Sequence, residues 1–285
     1  MKLFDYVKTI ASQDRPLKFL LAKILIRTKL SPFLTIKYQG YRLRFYPSST
    51  SRGLWIDNTE PEPVFDFFLD YLRKNDIIID AGANIGTMTL GSSLIVGSKG
   101  KVYSIEPHPR TFNFLKGNIL LNRFTNIETF NVALGSSSGN ISFSNKKSDD
   151  QNAVVMNENG TSVPIRRLDE LIDSNNIALL KIDVEGYEKF VLMGTTKLFK
   201  YIECVIVEVW AKAKYDSTPD SVYDILLDNN FQLFRFSGIR EISPITRNYQ
   251  PIDLGTNGIL AEDILAIKNT DNFLLRTNYK IIEDK

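Results

Sequence analysis

Ile77-Ile78-Ile79-Asp80-Ala81-Gly82-Ala83-Asn84-Ile85-Gly86 is the stretch whose reading decides the fold. Three β-branched residues run into an acid, and a glycine-spaced turn follows. A continuous apolar run of this kind suits a parallel strand covered on both faces. Gly82 and Gly86 allow a tight turn and the close approach of a ligand to the backbone. Thr87 to Val96 can continue as a helix, whose N-terminus offers free N–H groups.

A dinucleotide site needs G-x-G-x-x-G. Here the order is Asp80-x-Gly82-x-Asn84-x-Gly86, with Asn84 where a second glycine would lie against a pyrophosphate. A carboxylate at the strand end would also repel a diphosphate. It suits a ligand with an ammonium or a sulfonium group, which points to S-adenosylmethionine. A strand–turn–helix without a ligand is the alternative that this motif leaves open. A second acid weighs against it. Val102-Tyr103-Ser104-Ile105-Glu106 reads as another buried strand, and Glu106 lies twenty residues after Gly86. An α/β nucleotide fold places an acid there for the ribose hydroxyls.

With these residues in view the chain resembles the FkbM-type S-adenosylmethionine-dependent methyltransferases. The similarity rests on Asp80 to Gly86, Ile105-Glu106-Pro107-His108-Pro109, Asn118 to Asn122, Leu168-Asp169-Glu170-Leu171 and Lys181-Ile182-Asp183-Val184-Glu185-Gly186-Tyr187-Glu188. These run in order over residues 55 to 210, and the last block is the most specific. His108 departs from the asparagine more common there. The resemblance implies a class I, Rossmann-like methyltransferase sheet and a hydroxyl acceptor on a sugar, glycolipid or secondary metabolite.

Composition sets the bounds. The chain has 285 residues, is 43% hydrophobic and carries a net charge of +2, so it can bury a large core and is not a general nucleic-acid binder. Residues 1–50 hold ten Lys/Arg against two Asp, a net of +8, while the remainder is net −6. Cys204 is the only cysteine, lies in an apolar strand-like run and excludes an intramolecular disulfide. Asp5, Lys8 and Asp14 interrupt any secretory signal, so the expected location is cytoplasmic. No apolar run approaches a membrane span.

Along the chain, residues 1–30 read as one or two helices, and Thr35 to Tyr46 as a hairpin turning at Gln39-Gly40. On the helix, Leu17, Leu20, Leu21 and Ile24 share one face while Phe19, Ile26 and Leu30 fall on the other, so contact with apolar surface on two sides is expected. Peripheral membrane contact through residues 16–30 is the minority reading. Residues 1–57 are therefore an N-terminal extension and 58–285 the cofactor-binding domain. In that domain a helix from Glu62 to Arg73 precedes the first core strand. Further helices are expected at 110–121, 169–173, 189–199 and 221–228. Strands are expected at 127–133, 178–182 and 205–209, with strand-like pieces between Lys146 and Asn152. Phe231 to Phe236 and Ile264 to Ile267 should close the sheet as an antiparallel pair. This alternation specifies an α/β fold, a mostly parallel sheet with helices on both faces.

Ligands of such sheets bind beyond the strand C-termini. The candidate cofactor residues are Asp80, Gly82, Asn84, Gly86, Glu106, Pro107 and Ala133. Asp183, Glu185 and Glu208 end the fourth and fifth strands at the same edge and are the catalytic candidates. A carboxylate could take the proton of an alcohol acceptor, or Asp183 and Glu208 could hold Mg2+ that acidifies it. Glu188 reads equally well as a first-turn helix acid. His108, the single histidine, reads as a loop or adenine-contact residue rather than a base. An NAD-type oxidoreductase and a non-catalytic adaptor on the same fold are the rival functions, and nucleic acid is disfavoured as a substrate. The oligomeric state is not legible.

Overall fold

The computed structural model describes residues 15–59, 63–144, 154, 160–211, 215–251 and 261–283. The expected pieces at Lys146 to Asn152, the first fourteen residues and the helix start at Glu62 lie outside them.

In chain order the elements begin with α1 (Pro16–Arg27), the hairpin β1 (Thr35–Tyr38) and β2 (Tyr41–Arg44), α2 (Ser49–Ile56) and α3 (Pro63–Tyr71). The core follows as β3 (Ile77–Ala81), α4 (Thr87–Val96), β4 (Lys101–Ile105), α5 (Pro109–Asn122) and β5 (Ile127–Phe130). Next come β6 (Ala133–Leu134), β7 (Gly139–Phe143), β8 (Thr161–Arg166), α6 (Leu168–Leu171), β9 (Ile177–Ile182), α7 (Glu188–Met193) and β10 (Ile202–Trp210). The chain closes with α8 (Pro219–Asp228), β11 (Gln232–Gly238), β12 (Glu241–Pro244), β13 (Ala261–Ile267), α9 (Thr270–Arg276) and β14 (Lys280–Ile281).

Nine strands form one sheet in the order β14-β12-β11-β13-β10-β9-β3-β4-β5. β5, β4, β3, β9 and β10 run parallel, and β13 lies antiparallel between β10 and β11. This is the mixed, mostly parallel sheet that the sequence resemblance implies. Strand residues alternate faces. Ile78, Leu179 and Ile206 thus enter one core cluster with α3 and the hairpin, while Ile79, Leu180 and Val205 enter the other with α7 and α8. Helices therefore cover both faces, as the uninterrupted apolar runs require.

Local chemistry explains where elements differ from the sequence reading. The run from Ile127 to Ala133 is not one strand. Asn131 donates its side-chain amide to the carbonyls of Glu106 and Pro107 and turns the chain, so Ala133 and Leu134 join a separate three-stranded sheet with β8 and β7. The helix begun at Glu188 stops at Met193 rather than Phe199, because Gly194 and two threonines follow. The hairpin forms with Gln39 and Gly40 both at positive φ, the conformation that its twist favours.

The expectation that α1 touches apolar surface on two sides is corrected. Phe19 and Ala22 are buried, with Leu25 and Ile26 packed partly against the core, while Leu17, Leu21 and Ile24 stay exposed.

Candidate functional site

β3 and β4 pair in parallel register, which brings Asp80 and Glu106 to one edge of the sheet. Asp80 is fully buried and accepts a hydrogen bond from the Thr89 hydroxyl of α4 at 2.6 Å. The Ser104 hydroxyl of β4 lies 2.7 Å from that of Thr89 and completes a three-residue chain. The Lys181 ammonium stands 3.9 Å from Asp80 Oδ1. Burial raises the Asp80 pKa, and Lys181 and the Thr89 bond oppose that rise.

The turn after β3 is built by backbone contacts. The amides of Gly82 and Ala83 donate to the Ile105 carbonyl, and the amide of Asp183 donates to Ala81. Gly82 has φ +84, and a Cβ on it would stand 1.7 Å from the Asp183 carbonyl oxygen. Close approach at Gly82 is thus to the loop after β9 itself. Gly86, at φ +96, starts α4 and lies against Leu115. Glu106 is 6% exposed and holds the turn from the other side. Its carboxylate accepts from the amide of Asn84 at 2.9 Å and from the amide of His108 at 2.8 Å.

These elements surround a cavity of about 260 Å³. Of the cofactor candidates, Asp80, Gly82, Asn84, Glu106, Pro107 and Ala133 line it, and Gly86 does not. Asp183 and Glu185 line it too, while Glu208 does not. His108 is buried under the loop at the start of α5, with its ring 6.4 Å from that of Phe143, and is not part of the wall. His108 thus takes the loop position read from the sequence, at the start of α5.

Lys181 organises the acids. It is 7% exposed and bonds Asp183 at 3.1 Å. Burial alone would lower its pKa, but Asp183 and Asp80 outweigh burial and hold it above the ordinary lysine value. Glu185 has φ 60, a left-handed backbone uncommon outside glycine. Glu188 is 1% exposed, and its carboxylate accepts from the amide of Gly186 at 2.8 Å. Burial pushes its pKa up to about 7. It stands in the first turn of α7, the helix-acid reading of the sequence, and there also closes the loop through Gly186.

Glu208 pairs across the sheet with Asp263 and accepts from the Trp210 indole at 3.0 Å. Burial, with Asp183 and Asp263 nearby, pushes its pKa up to about 9. Asp183 is engaged by Lys181, and Glu208 is bound by the Trp210 indole and lies outside the cavity lining. Among the described residues no group of three or more His, Cys, Asp or Glu is placed to hold a metal ion. With Asp183 paired to Lys181 and Glu208 outside the cavity lining, this donor set does not fit Mg2+, which gathers several oxygen ligands at close range.

The wall also contains Thr50, Thr87, Met88, Val132, Phe143, Val154 and Tyr187, which sequence reasoning missed. Thr50 comes from α2, in the N-terminal segment, and Tyr187 stacks on Phe190 with centroids 4.4 Å apart. Only the family block containing Tyr187 could have signalled one of them. The buried acceptors Asp80 Oδ1 and Asn84 Oδ1 have no hydrogen-bond partner. Buried acceptors in that state call for a donor. The ammonium and ribose hydroxyls of S-adenosylmethionine are donors, and the apolar wall of Ile105, Val132, Leu134 and Phe143 suits its adenine. The residues present fit that molecule.

Residues 80–233 match the sequence profile of the methyltransferase FkbM domain, more than half of the chain. The chain belongs to the FkbM methyltransferase family. It is an S-adenosylmethionine-dependent methyltransferase, and the oxidoreductase and adaptor alternatives are set aside. Among its relatives is the hexuronic acid methyltransferase AglP of Haloferax volcanii, 32% identical over 187 residues, covering 64% of this chain and 75% of that protein. Methyltransferase 1 of Beauveria bassiana is 27% identical over 162 residues, covering 47% of this chain and 65% of that protein. A crystal structure of methyltransferase FkbM from Methylobacillus flagellatus superposes with a TM-score of 0.46 at 16% identity, covering 69% of this chain and 44% of that one. Among the described residues no helix is long and apolar enough to cross a membrane.

Proposed function

We propose that this FkbM methyltransferase methylates a hydroxyl group of a sugar, with a uronic acid as the first acceptor to test. The observation that carries the reading is the pair Asp183 and Lys181, a carboxylate held by a buried ammonium at 3.1 Å on the wall of the cavity that also contains Asp80 and Glu106. The hexuronic acid methyltransferase among the relatives supports the sugar class.

S-adenosylmethionine supplies a methyl group already activated by its sulfonium, so the chain's own work is positioning, exclusion of water and removal of one proton. Asp80, Asn84, Glu106, Pro107 and Ala133 form the cofactor wall in this reading, with Gly82 and Gly86 shaping the turn that carries it. Bound there, S-adenosylmethionine would supply the methyl group to the acceptor oxygen and leave as the neutral thioether, so the hydroxyl proton is what the chain must take. The hydroxyl proton goes to Asp183, which Lys181 holds in place. Glu185 borders the acceptor side. Glu208 lies outside the cavity lining, bound by the Trp210 indole, and takes no part in the proton transfer.

The test is transfer of labelled methyl from S-adenosylmethionine to uronic acids and to neutral sugars. Asp183→Asn is expected to lower turnover about a hundredfold with near-normal cofactor affinity. Full turnover by that variant would remove Asp183 from the chemistry, and label only on non-hydroxyl acceptors would remove the O-methyl reading.

A further inference from the structure

From Arg15 to Ile56 the chain holds nine Lys/Arg and no Asp or Glu. Within that basic stretch Leu17, Leu21, Ile24, Leu30 and Phe33 are 46% to 82% exposed. They are five of the thirteen large apolar side chains that the described residues leave exposed, gathered into seventeen positions, whereas Leu120, Ile239 and others stand singly. Scattered exposed leucines need no explanation, but a contiguous set does.

The arrangement has a period. Leu17, Leu21 and Ile24 recur at i, i+4 and i+7 and form one stripe along α1. The opposite stripe, Phe19 and Ala22, is already buried against the protein. Among the described residues the outer stripe therefore takes no part in the core. Exposed Lys18 and Arg27 flank it, and exposed Lys29, Leu30 and Phe33 continue the same composition past the helix end. An apolar strip bordered by lysine and arginine matches the boundary between acyl chains and anionic headgroups. Nucleic acid would meet the positive charge but leave the leucines in water.

We propose that α1 and the turn after it dock on an anionic phospholipid surface, with Leu17, Leu21, Ile24 and Phe33 inserted at the acyl boundary and the neighbouring basic residues against the headgroups. α1 packs on α2, and α2 contributes Thr50 to the cavity wall. Docking therefore holds the methyltransferase site beside the bilayer, where an acceptor anchored in lipid would be presented.

The test is co-sedimentation of the full chain with vesicles of phosphatidylcholine mixed with phosphatidylglycerol, and with phosphatidylcholine alone. Binding is expected to the mixed vesicles, weakening as salt rises, with little to the neutral ones. The triple variant Leu17→Ser, Leu21→Ser, Ile24→Ser and the pair Arg27→Glu, Lys29→Glu should each reduce partitioning about tenfold or more. All five positions are at the surface, so thermal melts and methyl transfer to a water-soluble acceptor should stay at wild-type values. That second readout separates docking from catalysis. No binding to mixed vesicles at low salt overturns the proposal, as does undiminished binding by both variants. Loss of self-association by light scattering in the triple variant, without vesicle binding by the wild type, assigns the stripe to a second copy of the chain and overturns it as well.

Discussion

Glu106 combines a structural and a binding task in one carboxylate. Two backbone amides hold its oxygens, and the residue lines the cavity. Glu106→Ala should weaken S-adenosylmethionine binding by about 2 kcal/mol, the loss expected for charge-assisted hydrogen bonds. Isothermal calorimetry measures this, and unchanged affinity would remove Glu106 from the cofactor site. Glu208 gives a pH signature. Its folded-state pKa is raised from 4.5 to about 9, so between those values the folded chain holds a proton that the unfolded chain releases. Its contribution to stability is fully present below the lower value and is lost as pH rises toward the upper one. Glu208→Gln keeps the acceptor for Trp210 and removes the titration. In mildly alkaline buffer it should be more stable than wild type by at least about 1 kcal/mol, and the gain should vanish in acid. Urea titrations across pH that show parallel curves for the two proteins would contradict this.

Among the elements, what could be read from sequence depended on periodicity and punctuation. β3, β4 and β9 are buried on both faces, so their apolar runs announced them, and the acids after them marked the functional edge. α4 was legible because glycines bracket it. The three-stranded sheet was not, since β7 and β8 are half-exposed and carry no continuous apolar run. α2 is likewise a short polar helix capped by Ser48, with no apolar stripe to signal it. The cavity residues from these elements escaped for the same reason. Asn118 shows how a sequence motif can be structural. Fully buried on α5, it accepts from the Arg44 amide of β2 at 2.8 Å and donates to the Ile85 carbonyl at 2.8 Å. It ties the hairpin to the loop after β3. Asn118→Ala leaves both backbone groups without partners and should cost about 2 kcal/mol or more in a denaturant titration, with a weaker cofactor affinity following from the loosened loop. Asn118→Asp keeps only the acceptor and should recover part of that loss.

At the scale of the whole molecule the question is whether the N-terminal segment is an attachment or a part of the core. Tyr38, Tyr41, Leu43 and Phe45 of the hairpin region are each at most 4% exposed and share one cluster with Phe65, Met88 and Ile78. Tyr38 meets Tyr41 edge-on at 5.8 Å, and Phe45 stacks on Trp55 of α2 at 4.8 Å. The Tyr41 hydroxyl donates to the Thr87 carbonyl in the first turn of α4 at 2.7 Å. Burying a side chain of this size contributes about 1.5–3 kcal/mol. Four such residues together rival the roughly 5–15 kcal/mol by which ordinary domains are stable. Removal of residues 1–57 is therefore expected to leave a chain that does not fold, although the family profile begins only at residue 80. Graded variants make the point measurable. Tyr41→Phe removes one hydrogen bond and should cost about 1 kcal/mol, and Leu43→Ala should cost about 2–5 kcal/mol. If the truncated chain instead gave a cooperative melt near that of the full protein and bound S-adenosylmethionine normally, the hairpin would be an attachment, and these two substitutions would lower the stability of that attachment alone.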